Sequence, residues 1–265
     1  MTKNNEYLPF SSEILDVIKH TDFEYTFRMR FDGESKPGQF FEVSLPKYGE
    51  APISISGIDE GVIDLTIRKV GKVTDEVFEH YIGDHLFMRG PYGNGFDVDN
   101  YKGKELVVIA GGTGLSPVRG VIEYFWRHPD EVQRLTLICG CRTPQDILFY
   151  EDQKRWNETH DVTLTVDINT CGFDCEEGMV TKHIPLLEMR DVSKAMAIVV
   201  GPPLMMKFSI IELEKLGFVE ENIWVSYERK MCCGIGKCGH CRILDTYICV
   251  DGPVFNYVEG KHLID

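Results

Sequence analysis

The sequence predicts an antiparallel β barrel, then a parallel sheet covered by helices, then a small cysteine-rich section. Three observations carry this expectation. Short β-patterned segments divided by turn formers fill residues 1–98, strand and helix patterns alternate over 99–225, and five of the nine cysteines fall between 232 and 249. A chain of 265 residues is long enough for two ordinary domains and an appendage.

The β-patterned segments are ILDVIKH at 14–20, YTFRMRF at 25–31, QFFEVSLP at 39–46, PISISGI at 52–58, VIDLTIRKV at 62–70 and HLFMRG at 85–90. Asp32-Gly33, Pro37-Gly38, Tyr48-Gly49 and Asp59-Glu60-Gly61 separate them as turn formers. Regularly spaced strands of this kind close into a barrel, which leaves no exposed edge.

From about residue 101 the pattern changes. Leu106–Ala110 is a continuous apolar run, fit for a strand buried on both faces, and Val118, Val121, Ile122, Phe125 and Trp126 then recur at helical spacing. LTLIC at 135–139, VTLTV at 162–166 and MAIVV at 196–200 repeat the strand signal; Leu204–Leu216 reads as a helix stopped by Gly217. This alternation gives a sheet that binds nucleotides at the carboxyl ends of its strands. The remaining residues, 226–265, are too few for a large core and require a metal to organise them.

Composition narrows the function. With 43% hydrophobic and 26% charged residues the chain is globular, and no apolar run of membrane-spanning length occurs. The N-terminus lacks the basic and apolar regions of a signal peptide, so a cytoplasmic location is expected. Twenty-eight basic against 42 acidic residues give a net charge of −14, which argues against nucleic acid as a partner. Nine cysteines without an export signal are not expected to form disulfides.

In the tail, Cys233, Cys238, Cys241 and Cys249 are separated by four, two and seven residues. The first three match the spacing of plant-type [2Fe–2S] ligation. Gly234, Gly236 and Gly239 let the loop curl so that backbone N–H groups face the sulfurs, and Arg229, Lys230, Lys237 and Arg242 supply a local positive field. A structural Cys₄ zinc site is the rival, although such sites pair two C-x₂-C knuckles and only one is present. Cys232, beside the first ligand, reads as a free thiol, and His240 as an exposed or supporting residue. Cys139, Cys141, Cys171 and Cys175 form no second recognisable site.

After the first strand of the second section comes Gly111-Gly112-Thr113-Gly114, leading into a helix. Small residues let the backbone approach a pyrophosphate, and the helix start offers N–H groups to it. A purely structural turn remains the alternative. Arg142, after the next strand, and Gly201-Pro202, after the last, place further candidate contacts at neighbouring strand ends, with a solvated surface charge the plain reading of Arg142.

APISIS at 51–56, GKVT at 71–74, GPYGNGF at 90–96, AGGTGLSP at 110–117 and GPPLMM at 201–206 together resemble the ferredoxin-NADP reductase superfamily over the whole chain. The tail, ERKMCCGIGKCGHC followed by CVDGPVF, resembles a narrower branch. That branch holds the electron-transfer component of dihydroorotate dehydrogenase, the sulfhydrogenase gamma subunits and the corresponding component of anaerobic sulfite reductase; the sulfite reductase component is the nearest resemblance and sulfhydrogenase gamma its competitor. The resemblance implies an FAD-binding barrel (1–98), an NAD(P)-binding domain (99–225) and a [2Fe–2S] domain (226–265). It places Pro52, Ile53 and Ser54 against the flavin and Thr66, Ile67 and Arg68 on the next flavin-binding strand. Gly71, Val73 and Thr74 would hold the pyrophosphate, and Gly111, Gly112, Thr113, Gly114, Arg142, Gly201, Pro202 and Met205 the NAD(P)H. Ala51 and Ile53 stand where many members carry arginine and tyrosine, and Val200 where many carry cysteine.

The implied function is an electron-transfer subunit that passes electrons from NADH through FAD and the cluster to a partner. The expected partners are a catalytic sulfite reductase subunit with sirohaem and an additional iron–sulfur subunit. The alternatives are service to a nickel–iron sulfhydrogenase or to dihydroorotate dehydrogenase, or, in a different class, a redox-sensing module without turnover. No catalytic acid, base or nucleophile is expected, because the cofactors carry the redox chemistry.

Overall fold

The computed structural model describes residues 5, 7–80 and 85–263. They divide into two compact units: residues 1–96 with 228–253, and residues 97–227 with 254–265.

Six strands form the closed barrel of the first unit: β1 (Phe10–Lys19), β2 (Glu24–Arg30), β3 (Phe40–Leu45), β4 (Gly49–Asp59), β5 (Val62–Arg68) and β6 (His85–Tyr92), in the order β1-β2-β5-β4-β3-β6. All neighbouring pairs are antiparallel. Alternation along each strand sends Phe27, Met29, Phe41, Val43, Ile55, Ile63, Leu65 and Ile67 into the barrel core. Burying each of these side chains contributes about 1.5–3 kcal/mol. The six β-patterned segments all become strands. Between β5 and β6 lies a helix that strand periodicity does not reveal, α1 (Lys72–His80), whose Val77 joins the barrel core.

In the second unit β7 (Glu105–Gly111) leads into α2 (Leu115–Arg127), β8 (Arg134–Cys141) precedes α3 (Tyr150–Trp156), and β9 (Asp161–Val166) is followed by the two-residue β10 (Glu176–Glu177). β11 (Met196–Val200), α4 (Pro203–Leu216) and β12 (Ile223–Ser226) complete the alternation. Every residue of β7 is buried, as its apolar run requires, and α2 buries Leu115, Val118, Val121, Ile122 and Phe125 along one face. Gly217 ends α4 at φ 104°, in the left-handed region a C-terminal cap needs. α3 is held to α2 by polar contacts: Trp156 Nε1 donates to Glu123 Oε1 at 2.8 Å, and Arg119 pairs with Asp152 at 2.7 Å.

The tail divides between the units. A hairpin of β13 (Arg242–Ile243) and β14 (Thr246–Tyr247), then α5 (Ile248–Asp251), stay with the barrel. β15 (Val254–Asn256) instead pairs antiparallel with β12 and closes the order β10-β9-β8-β7-β11-β12-β15, followed by α6 (Tyr257–Gly260). The residues of the tail thus fall in both compact units, because its last strand belongs to the nucleotide-type sheet. Among the described residues no helix is long and apolar enough to cross a membrane.

Candidate functional site

The cysteine loop belongs to the barrel unit. Gly234, Gly236 and Gly239 have φ values of 73°, 71° and 79°, a run of left-handed turns that L side chains rarely adopt. These turns aim backbone donors at sulfur. Lys237 N and Cys238 N donate to Cys233 Sγ at 3.3 and 3.5 Å, and Gly236 N donates to Cys249 Sγ at 3.3 Å. Burial pushes the Cys233 thiol up, but the N–H groups of Ile235, Cys238 and Lys237 pull it further down, to about 7. Burial and a bond with the Cys241 thiol push Cys249 up to about 12.

Six of the seven residues between Cys241 and Cys249 form the β13–β14 hairpin, which turns at Leu244 (φ 51°) and returns the chain so that Ile248 N donates to Cys241 O at 3.4 Å. The hairpin returns Cys249 to the loop, where its thiol meets that of Cys241, while the Cys238 thiol meets Cys233. Among the described residues no group of three or more His, Cys, Asp or Glu side chains is set around one point to hold a single ion. Cys233, Cys241 and Cys249 are buried and Cys238 is exposed. The donor set fits a thiolate-bound cluster: soft sulfur ligands, paired, with N–H groups directed at two of them.

The loop rests on the barrel wall at β6. Arg89, only 3% exposed, grips Glu50 with Nε–Oε1 at 2.8 Å and Nη2–Oε2 at 2.5 Å. Its remaining donors reach Tyr92 Oη at 3.2 Å, the Cys232 carbonyl at 3.1 Å and the Cys233 carbonyl. Gly234 lies on the Tyr92 ring so closely that a Cβ there would stand 2.6 Å from Cδ2. Opposite Arg89 in the ladder, Glu42 is fully buried and neither carboxylate oxygen has a hydrogen-bond partner. Burial pushes its carboxyl up to about 7 against the pull of Arg89, with Glu50 and Cys233 adding to the rise.

The expected flavin-contact residues lie on β4, β5 and the start of α1. Pro52 and Ser54 are half-buried and pair in register with Glu42 and Phe40 of β3, whose alternation places all four on the outer wall. Ile53 and Ile67 turn into the barrel core, so only their backbone can meet a ligand on that wall. Thr66 belongs to a chain of hydroxyls: it donates to Ser56 Oγ at 2.7 Å and lies 2.7 Å from Thr26 Oγ1, which in turn meets His20 Nε2 at 2.7 Å. Arg68 is half exposed and paired with Glu24 at 3.1 Å. The GKVT turn is the entry to α1: Thr74 Oγ1 accepts from Val70 N and Gly71 N, both at 3.1 Å, and donates to Gly71 O. Val73 is half-buried beside it. The hydroxyl fixes the turn; the N–H groups of Lys72 and Val73 at the helix start are the ones an anion would meet.

In the second unit the glycine turn packs on the end of β11. A Cβ on Gly114 would lie 2.5 Å from Val200 O and 2.8 Å from Gly201 Cα, so only glycine fits. Met205 and Pro202 cover Gly111, and Gly201 (φ 153°) approaches Gly111 N. Gly111, Gly114, Gly201, Pro202 and Met205 are thus brought together, while Gly112 and Thr113 stay half-exposed. Arg142 is exposed at the end of β8, and its carbonyl accepts from Ile168 N at 3.1 Å. Sequence reasoning passed over Arg89, Glu42, Glu50 and Tyr92, since nothing in a strand pattern marks a residue whose partner lies 144 positions away.

Residues 108–210 match the oxidoreductase NAD-binding domain family, and residues 228–259 match the iron–sulfur cluster binding domain of dihydroorotate dehydrogenase B. The sulfhydrogenase 1 gamma subunit of Pyrococcus furiosus is 38% identical, over 98% of this chain and 94% of its own. A probable dihydroorotate dehydrogenase B electron transfer subunit of the same organism is 36% identical, over 90% and 85%. The structure of an NADH-dependent reduced ferredoxin-NADP oxidoreductase, studied for flavin-based electron bifurcation, is similar with a TM-score of 0.78 at 26% identity, covering 94% of this chain and 88% of that one. The cytochrome b5 reductase domain of Ulva prolifera nitrate reductase shares the fold, with a TM-score of 0.67 at 19% identity over 84% of this chain and 98% of that one. The chain belongs to the ferredoxin-NADP reductase-like family of electron-transfer proteins that includes the sulfhydrogenase gamma and dihydroorotate dehydrogenase B electron transfer subunits.

Proposed function

We propose that this chain is the electron-transfer subunit of a larger reductase, taking electron pairs from NADH and delivering single electrons to a partner through FAD and a [2Fe–2S] cluster. One observation carries the reading: the cysteine loop presents two thiol pairs, served by backbone N–H groups, on the same compact unit as the flavin-type barrel. Cys233, Cys238, Cys241 and Cys249 would hold the cluster, which would supply one-electron transfer.

When bound, FAD supplies the conversion of a hydride pair into single electrons and the cluster supplies their relay. The chain's own groups position these cofactors. Pro52 and Ser54 offer a wall for the flavin, with the backbone of Ile53 and Ile67 and the Thr66 hydroxyl beside it. The Gly71–Thr74 turn and Arg68 would hold its phosphates. Gly111–Gly114, Gly201, Pro202 and Met205 form the nucleotide's cradle, with Arg142 at its rim. Cys233, Cys238, Cys241 and Cys249 hold the cluster, and exposed Cys238 lies on the side from which electrons leave.

The receiving subunit is the finer part of the proposal. The motif resemblance favours a sirohaem sulfite reductase, whereas 38% identity over nearly the full chain favours the sulfhydrogenase type of assembly as a second reading. Anaerobic purification of the native complex separates them: recovery with a sirohaem subunit supports sulfite as acceptor, and recovery with a nickel–iron subunit supports hydrogen or sulfur chemistry. A colourless chain that neither binds flavin nor reduces an artificial acceptor with NADH overturns the electron-transfer reading itself.

A further inference from the structure

The guanidinium of Arg89 has five N–H donors, and all five are engaged: Nε and one Nη2 hydrogen on Glu50, the other on the Cys232 carbonyl, and the two Nη1 hydrogens on Tyr92 Oη and the Cys233 carbonyl. Such complete use of a buried cation is a built site. Two of the bonds end on the backbone of the first ligand loop, and that loop's first glycine lies on the ring that Arg89 also holds. We propose that Arg89 is a positioning residue for the iron–sulfur cluster: it fixes the Cys232 and Cys233 peptides on the barrel wall, holding the first thiolate in place and placing a fixed positive charge beside the cluster.

The proposal rests on the cluster reading above, and extends it by making the barrel part of the cluster site. A lysine cannot replace the arginine here. It has three donors radiating from one point, against the planar fork that grips a carboxylate and two carbonyls at once. Removing the charge altogether leaves Glu50 facing a low-dielectric wall and shifts the cluster toward its oxidised, less negative state, because reduction adds negative charge.

The test uses the full chain, purified anaerobically. In Arg89→Lys the charge stays and the fork is lost. Iron release to a chelator is expected to become about 10- to 100-fold faster, with the midpoint potential close to that of the native protein. In the double variant Arg89→Gln with Glu50→Gln, which removes both members of the ion pair, release is equally fast and the midpoint potential falls, because the cationic member is the one bonded to the ligand loop. Far-ultraviolet circular dichroism and flavin content verify that the barrel is folded; should the double variant not fold, the lysine variant alone decides. Native release kinetics in Arg89→Lys overturn the proposal. A native protein that carries no iron sinks the cluster reading instead, so the two failures are distinguishable.

Discussion

Cys233 of the curled loop and the cysteines at the end of β8 have opposite chemistry built around them. Cys139 and Cys141 lie at the end of β8, where burial pushes both thiols up, Cys141 to about 12; Cys175, in the segment after β9, is raised for the same reason. Cys141 acts as a donor, giving its hydrogen to Thr143 O at 3.3 Å. Cys233 is also buried, yet backbone N–H groups draw it down to about 7. The difference lies in the curled backbone around it. Cys233, whose sulfur receives two backbone N–H groups, is prepared to be a thiolate; Cys249, which receives one, stays as high as Cys141 at its strand end.

The largest expected effect breaks the comparison outright. Cys241→Ser should abolish cluster binding, seen as loss of iron, acid-labile sulfide and the long-wavelength absorption, while Cys139→Ala, Cys141→Ala and Cys175→Ala should leave iron per chain unchanged. Equal iron loss in the two sets would remove the distinction.

The next effect concerns the carboxyl beneath the ligand loop. Glu42 is surrounded by Arg89 on β6, Glu50 on β4 and Cys233 on the loop, and its carboxyl stands at about 7 in the folded chain against 4.5 ordinarily. The unfolded chain gives up this proton at lower pH than the folded one. Stability contributed by the protonated form is therefore present below pH 4.5 and lost as pH rises to about 7, by up to ~3 kcal/mol. Denaturant midpoints at about pH 5 and about pH 7.5, on either side of most of that window, should show the loss in the native chain and a flatter profile in Glu42→Gln.

A matched pair of glycine substitutions sharpens the comparison further. Gly236 (φ 71°) donates to Cys249 Sγ, and a Cβ there would meet Val250 Cγ2 at 3.0 Å; Gly172 (φ 65°), between Cys171 and Cys175, has nothing within 4 Å. Gly236→Ala should cost about 1–2 kcal/mol of backbone strain and also hasten iron loss to a chelator. Gly172→Ala should carry the same backbone cost of about 1–2 kcal/mol, with iron retention unchanged. Thermal unfolding and chelator kinetics on both variants check this.

What was legible in the sequence followed from period and local chemistry. Alternating segments located all six barrel strands, and the continuous run at Leu106–Ala110 located the buried central strand β7. α1 stayed hidden because KVTDEVFEH is short and polar and directly follows a strand and a glycine turn that explain its first residues without a helix. β15 has three residues and is defined by its ladder to β12, so no local pattern announces it. The four cysteines were legible as a set from spacing, while their pairing required the hairpin that the seven-residue gap encodes. Arg89 was invisible for the physical reason that makes it useful: one buried cation joins residues far apart in sequence.

On this reading the curled loop on the barrel holds a two-iron cluster fed by flavin and NADH. Anaerobic NADH titration followed by visible absorption and electron paramagnetic resonance tests it most directly. Iron and sulfide are expected in equal amount, with bleaching of both flavin and cluster on addition of NADH and a paramagnetic signal from the reduced cluster. A protein that carries zinc in place of iron, or whose cluster stays oxidised while its flavin is reduced by NADH, contradicts it.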